Sequence, residues 1–132
     1  MAGGYIMNMS IARQHYKMAK ENAVDNTLQN ARAIKLAMIQ LHSSLSNLSS
    51  NPSPEQREEQ FEIALTRIYL LQKCLDFQRG GDLARNLFRV YEHARRAVIY
   101  SGNVNHSEYS LADAVNFIGI VLDGWSKITE KD

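Results

Sequence analysis

Apolar residues along this chain recur at steps of three and four, which is the spacing of one buried face of an α-helix. The first such series predicts a helix over about residues 27 to 48. Asp25, Asn26 and Thr27 stand at its amino end and are residue types that cap helices. The residues that form the predicted buried face are Ala31, Ile34, Met38, Leu41, Leu45 and Leu48.

A second helix is predicted to follow a polar loop over residues 49–54. Ser53 and Gln56 have the spacing of a capping box, and Pro54 suits the first helical position. This helix carries two apolar stripes and therefore needs two partners, which are either two neighbouring helices or one helix and another protein chain. The main stripe comprises Phe61, Leu65, Ile68 and Leu75, and the second comprises Ile63, Leu70 and Phe77.

A glycine pair, Gly80 and Gly81, predicts a break before the third helix. Asp82 is expected near the amino end of that helix, where a carboxylate suits the helix dipole. The helix is predicted to run to about Ser101 and to end at Gly102-Asn103. Its predicted buried face comprises Leu83, Leu87, Val90, Tyr91, Ala94 and Val98.

A fourth helix is predicted after a short polar link over residues 103–107. It has apolar residues off its main stripe at Phe117 and Ile120, and Gly119 and Gly124 are expected to let a neighbour approach closely. The main stripe comprises Leu111, Val115, Ile118, Leu122 and Trp125.

Four long helices joined by short loops predict an all-α fold, an antiparallel up-down four-helix bundle over residues 23–132. Residues 1–22 are rich in methionine and are predicted to form a separate amino-terminal arm or short helix. Two interpretations of this arm stay open. It packs on the bundle for stability, or it is a removable cap whose flexible methionines cover an apolar surface until a partner arrives.

The composition narrows the class of protein. The chain has 132 residues, a net charge of +1 and a single cysteine, Cys74. It has no net basic balance to indicate nucleic acid as a partner, no apolar run long enough for membrane insertion, and no signal-peptide pattern. A cytoplasmic protein is therefore predicted, with Cys74 buried or half-buried at the end of the second helix.

Candidate chemistry is sparse. The four histidines, at positions 15, 42, 93 and 106, are dispersed, and neither metal-ligand spacing nor a phosphate-binding loop occurs. No enzymatic activity, metal or cofactor is predicted. One basic group has three interpretations: solvated side chains balanced by Asp82 and Glu92, a polar rim that holds the acidic or carboxylate end of a partner peptide, or a site of weak phosphate contacts. Its members are Arg79, Arg85, Arg89, Arg95 and Arg96.

The order of features from about residue 56 to the carboxyl end resembles flagellar secretion chaperones of the FliS type. Three segments carry the resemblance: Gly80-Gly81-Asp82-Leu83-Ala84-Arg85-Asn86-Leu87, then Tyr91-Glu92-His93, and finally Asp123-Gly124-Trp125. The resemblance implies a non-enzymatic chaperone that binds the carboxyl-terminal part of flagellin and prevents its premature polymerisation. It also implies delivery of flagellin to the flagellar type III export apparatus.

The alternative is a helical adaptor or regulator that binds a different amphipathic client. Either function needs apolar residues that the bundle core does not use, because amphipathic helices bind in apolar grooves. The residues predicted to contact the client are Tyr16, Ile63, Leu70, Phe77, Phe117 and Ile120.

Overall fold

The computed structural model describes the backbone of residues 23–101 and 108–130, and the side chains of residues 30–101 and 108–127. All regular structure in these ranges is α-helical. The four helices are α1 (Ala23–Ser49), α2 (Pro54–Lys73), α3 (Phe77–Ile99) and α4 (Leu111–Glu130). The all-α prediction is confirmed. The predicted arm over residues 1–22, the link over 103–107 and the cap at Gly102-Asn103 lie outside the described residues.

The helices form a closed ring in which α1 and α3 each pack against both α2 and α4. Asn47, near the end of α1, donates to Gln60 near the start of α2, and Arg67, further along α2, donates to Gln40. The two helices therefore run in opposite directions. Trp125, late in α4, likewise donates to the Ala31 carbonyl oxygen, early in α1, at 3.0 Å.

Polar contacts also join α3 to its neighbours. Arg57, in the first turn of α2, donates to the Ser101 hydroxyl at 2.6 Å, just beyond the end of α3. Arg96 donates to the Tyr109 hydroxyl at 2.7 Å, and its guanidinium lies 5.4 Å from the centre of the Tyr109 ring. His93 packs edge-on against Phe117 of α4, with 5.3 Å between the ring centres. These contacts join the end of one helix to the start of its neighbour, so adjacent helices run antiparallel.

The core follows the predicted stripes of α1 closely, and four of the six residues in that series are fully buried. In α2, however, two residues off the predicted stripe, Ala64 and Leu71, are buried beside Ile68. Small side chains let the helices approach closely at several points of the core. The alanines with at most 3% exposure are Ala37, Ala64, Ala84, Ala94, Ala97 and Ala114.

The predicted start of α1 is wrong, and α3 has one turn more at its amino end than predicted. Helix α1 begins at Ala23, so Asp25, Asn26 and Thr27 lie inside it. Asp, Asn and Thr are tolerated inside helices, and each residue that extends a helix adds one backbone hydrogen bond. Helix α3 begins at Phe77, before the glycine pair, because the Asp76 carboxylate accepts hydrogen bonds from two backbone amides there.

The early start of α3 changes the helix to which Phe77 belongs. Helix α2 ends at Lys73, so Phe77 belongs to α3 and not to the second stripe of α2. The break predicted at the glycine pair is confirmed, because Gly81 has non-helical angles, φ 50° and ψ −124°, that separate the first turn of α3 from the long helix after it. The Ser53–Gln56 capping box is also present as predicted.

In the described part of the chain, no helix has both the length and the apolar character needed to cross a membrane.

Candidate functional site

An open apolar cavity of about 360 Å³ lies at the end of the bundle where α1 begins and α4 ends. All four helices contribute to it, and its volume is in the range of roughly 300–1,000 Å³ that is typical of binding pockets. We call it the Trp125 cavity. Its lining residues are Ile34, Met38, Leu71, Cys74, Leu75, Asp76, Arg79, Gly80, Leu83, Ala84, Leu87, Tyr91 and Trp125.

Leu83 marks the open side of this cavity. It was predicted to lie on the buried face of the third helix, but 66% of its surface is exposed. The kink at Gly81 begins the straight part of α3 just before this residue, and Ala84 takes the buried position instead, at 3% exposure. Leu83 therefore offers a large apolar side chain at the rim.

The rim also carries one pair of opposite charges. Asp76 caps α3 through the amides of Gln78 and Arg79, and its carboxylate lies 3.9 Å from the Arg79 guanidinium. Both side chains are largely exposed, so this ion pair contributes little to stability. It adds polar atoms to the edge of an otherwise apolar cavity.

Tyr91 lies at the floor of the cavity and is 1% exposed. Burial, with a smaller contribution from the nearby Cys74, raises the pKa of the Tyr91 hydroxyl to about 12. The direction follows from the cost of placing a phenolate away from water. The floor of the cavity therefore stays uncharged at neutral pH.

A second depression of about 430 Å³ adjoins the Trp125 cavity between α1 and α2. We call it the Leu70 groove. It shares Ile34, Leu71 and Cys74 with the cavity, so the two form one continuous apolar surface. The full lining is Asn30, Ala33, Ile34, Leu70, Leu71 and Cys74.

A third depression, the Ile120 groove, lies between α1 and α4 and has a volume of about 410 Å³. Gly119 lets α1 approach there, because a methyl group on it would lie 3.2 Å from the His42 imidazole. The close approach predicted for Gly119 is thus confirmed, whereas at Gly124 no atom of the described residues lies within 4 Å of an added methyl group, so a neighbour there stays a prediction. The lining residues are His42, Ala112, Val115, Asn116, Gly119, Ile120 and Asp123.

The residues predicted to contact a client do not converge on one place. Leu70 lines the Leu70 groove, and Phe77 follows the cavity residue Asp76 in the chain. Phe117 packs against His93, whereas Ile120 lines the Ile120 groove. Ile63 is half-buried on α2, and Tyr16 lies outside the described residues. Their role in client contact stays a prediction.

Sequence reasoning missed most of the cavity lining because residues such as Ile34, Leu75 and Leu87 had been assigned to the core stripes. Helical periodicity identifies an apolar face, but it does not show where the bundle leaves that face uncovered. The signal that was available is the glycine pair, since a kink beside Leu83 alters which face of α3 the neighbours cover.

Cys74 and the basic group were each given a non-functional interpretation from the sequence. Cys74 is exposed, which contradicts the prediction that it is buried or half-buried. It caps the end of α2, where the chain turns away and leaves the side chain uncovered. Arg85 pairs with Asp82 and Arg95 pairs with Glu92, as the solvated interpretation predicts.

Within the described ranges, no three His, Cys, Asp or Glu side chains are grouped so as to hold a metal ion. The hydrogen bond from Arg95 to Glu92 raises the pKa of Arg95, which keeps that guanidinium charged. The cavity can therefore bind a partner through apolar contacts, and Asp76 and Arg79 add charges at its rim.

Comparison with known proteins adds family information to this geometry. The model of the family described as flagellar protein FliS matches residues 12–132. The flagellar secretion chaperone FliS of Vibrio cholerae is 24% identical to this chain over 115 residues, which covers 83% of this chain and 84% of that protein. No solved structure matches. Because the family match spans most of the sequence, the chain belongs to the FliS family of flagellar secretion chaperones.

Proposed function

We propose that this protein binds the carboxyl-terminal segment of flagellin in the cytoplasm, with the Trp125 cavity and the adjoining Leu70 groove as the binding surface. Bound flagellin is kept from polymerising and is delivered to the flagellar export apparatus. Two findings support the proposal: membership in the FliS family, and an apolar surface that the four-helix bundle leaves open.

The open cavity is the observation that carries this proposal. It offers exposed large apolar side chains, with 66% exposure for Leu83 in the cavity and 44% for Leu70 in the adjoining groove. Amphipathic helices bind in such grooves by inserting apolar residues that recur at helical spacing. Each large apolar side chain that becomes buried contributes roughly 1.5–3 kcal/mol.

These contacts must also offset the cost of ordering the client. A segment that folds on binding spends part of its interaction energy, typically about 2–5 kcal/mol, on becoming ordered. Three or four buried apolar side chains exceed that cost. Binding therefore needs no covalent or catalytic step, and the chaperone acts by covering the client's apolar face.

Titration calorimetry of the purified protein against the carboxyl-terminal segment of flagellin from the same organism tests this proposal. We expect one-to-one binding that Leu83→Gln weakens by about tenfold or more, which corresponds to one lost apolar contact. Ile99→Gln is the matched control. Ile99 is also exposed, at 43%, but it lies at the opposite end of α3 and should leave the affinity unchanged.

A truncated chain that starts near Asn22 belongs in the same titration. Stronger binding by this form would identify the arm over residues 1–22 as a cap over the cavity. If neither form binds the segment, the flagellin assignment fails and the adaptor with a different amphipathic client becomes the better interpretation.

A further inference from the structure

Gly81 holds a backbone conformation that the rest of α3 does not share. Its φ of 50° and ψ of −124° interrupt a helix that otherwise runs from Phe77 to Ile99. Side chains with a Cβ atom rarely adopt such angles, whereas glycine does so without steric cost. The kink therefore depends on the glycine at this position.

The kink separates two parts of α3 that both face the Trp125 cavity. Asp76, Arg79 and Gly80 line it from the turn before the kink, and Leu83 and Leu87 line it from the straight helix after the kink. The distance between these two walls is therefore set by the backbone angles of Gly81.

A ring contact spans the same kink. Phe77 in the first turn meets Phe88 in the straight part of α3 edge-on, with 6.0 Å between ring centres and 62° between ring planes. Both rings remain partly exposed, at 45% and 39%. The first turn is thus held in its bent position by the Gly81 angles, by the hydrogen bonds to Asp76, and by this aromatic contact.

The surroundings of Gly81 show whether glycine is needed there for its backbone angles or for lack of room for a side chain. A methyl group added there would meet no atom of the described residues within 4 Å, so these residues do not require a glycine for reasons of space. Gly80 differs, because a methyl group on it would lie 2.8 Å from the Cβ of Ala84. A substitution at Gly81 therefore acts through the backbone angles alone.

From these observations we infer that Gly81 is a positioning residue for client binding: its kink fixes the first turn of α3 as one wall of the Trp125 cavity. The inference rests on the proposed function for the identity of the client, an apolar helix from the carboxyl end of flagellin. Its geometric part concerns this chain alone. Straightening α3 at Gly81 moves the wall and opens the cavity on that side.

The test compares Gly81→Ala with Gly124→Ala in the full chain. Gly124 is a matched control, because a methyl group there also meets no atom of the described residues within 4 Å and its φ is not positive. Two readouts are needed: calorimetric titration with the flagellin segment, and the emission wavelength of Trp125, which lines the cavity and is half-buried. Circular dichroism shows whether each variant is folded.

We expect Gly81→Ala to stay folded, to weaken flagellin binding by about tenfold or more, and to shift Trp125 emission to longer wavelength, because an opened cavity admits water to the indole. Gly124→Ala should match the parent protein in both readouts. Unchanged binding, unchanged Trp125 emission, or loss of the whole fold in Gly81→Ala would each overturn the inference. If the parent protein itself fails to bind the segment, the proposed function fails, and Trp125 emission alone decides whether the kink shapes the cavity.

Discussion

Tyr91 combines two roles in a single side chain, since it fills the core between helices and closes the floor of the Trp125 cavity. It is the largest of the fully buried side chains among the described residues. Its hydroxyl is the one polar atom of that side chain, and burial makes the ionised form costly. The protonation of Tyr91 therefore links the stability of the fold to pH.

We predict that stability falls between about pH 10 and pH 12 through Tyr91. The pKa of this hydroxyl rises from 10 in the unfolded chain to about 12 in the fold, so above pH 10 the unfolded state loses its proton first. Unfolding then becomes more favourable by about 2–3 kcal/mol by the upper end of this window. Urea unfolding at several pH values measures the change.

Tyr91→Phe is the control, because it removes the titrating hydroxyl and keeps the ring. Lysine and arginine residues lose protons in both proteins over the same range, so the difference between the two curves isolates Tyr91. Parallel curves from pH 9 to pH 12 would show that the hydroxyl is accessible to water in the fold.

Substitutions at Leu70 and Phe117 test which of two surfaces of the molecule binds the client. Both are partly exposed, at 44% and 39%, so Leu70→Gln and Phe117→Gln should keep the helical content of the protein. The Leu70 groove joins the Trp125 cavity, and we therefore expect Leu70→Gln to weaken flagellin binding by about tenfold. Phe117→Gln reports on the opposite surface, which was also predicted to contact the client.

Calorimetry and circular dichroism measure the two effects together. A loss of helicity in either variant would place that residue in the core. Full affinity in Leu70→Gln with a loss in Phe117→Gln would move the binding surface to the α4 side.

At the scale of the helix, the best-defined features are the helix starts at which a side chain caps the backbone. Ser53 accepts a hydrogen bond from the Gln56 amide, and the Gln56 side chain accepts one from the Ser53 amide. The spacing of these two residues and the proline between them are visible in the sequence. Asp76 caps α3 in a similar way, and the glycine pair that follows correctly marks the break after the first turn of α3.

Removal of the Ser53 cap should destabilise the protein by about 0.5–2 kcal/mol, because one backbone amide at the start of α2 loses its acceptor. Ser53→Ala makes this change, and thermal or urea unfolding measures it. Ser43→Ala in the middle of α1 serves as the control, since Ser43 is exposed and its replacement should change stability by no more than about 0.5 kcal/mol. Equal stabilities for the two variants would show that the capping box has no energetic role.

At the scale of the whole molecule, the four-helix architecture could be predicted because each helix carries its own apolar series and its own end signals. The predicted series of α1 is largely the observed core, and Ile118 of α4 is fully buried as expected. The cavity could not be predicted in the same way. It depends on where α3 bends and on which faces of α1 and α2 then remain uncovered, and these are properties of the assembled bundle.

The predicted client residues show the same limit. Selecting apolar residues off the main stripes identified Leu70, which lines the groove, but it also selected Ile120 on a different surface. Leu83 was assigned to the core because it continues the period of α3, yet it is the most exposed large apolar residue at the cavity. A helical period fixes a direction around one helix and contains no information about the neighbours of that helix.

The fluorescence of Trp125 tests the central claim most directly. It is the one tryptophan of the chain, it lines the Trp125 cavity, and its indole is partly exposed there. Titration with a tryptophan-free carboxyl-terminal flagellin segment should shift its emission to shorter wavelength and saturate at one segment per chaperone, because a bound apolar helix displaces water from the indole. Calorimetric binding of the segment without any change in Trp125 emission would contradict the cavity as the binding site.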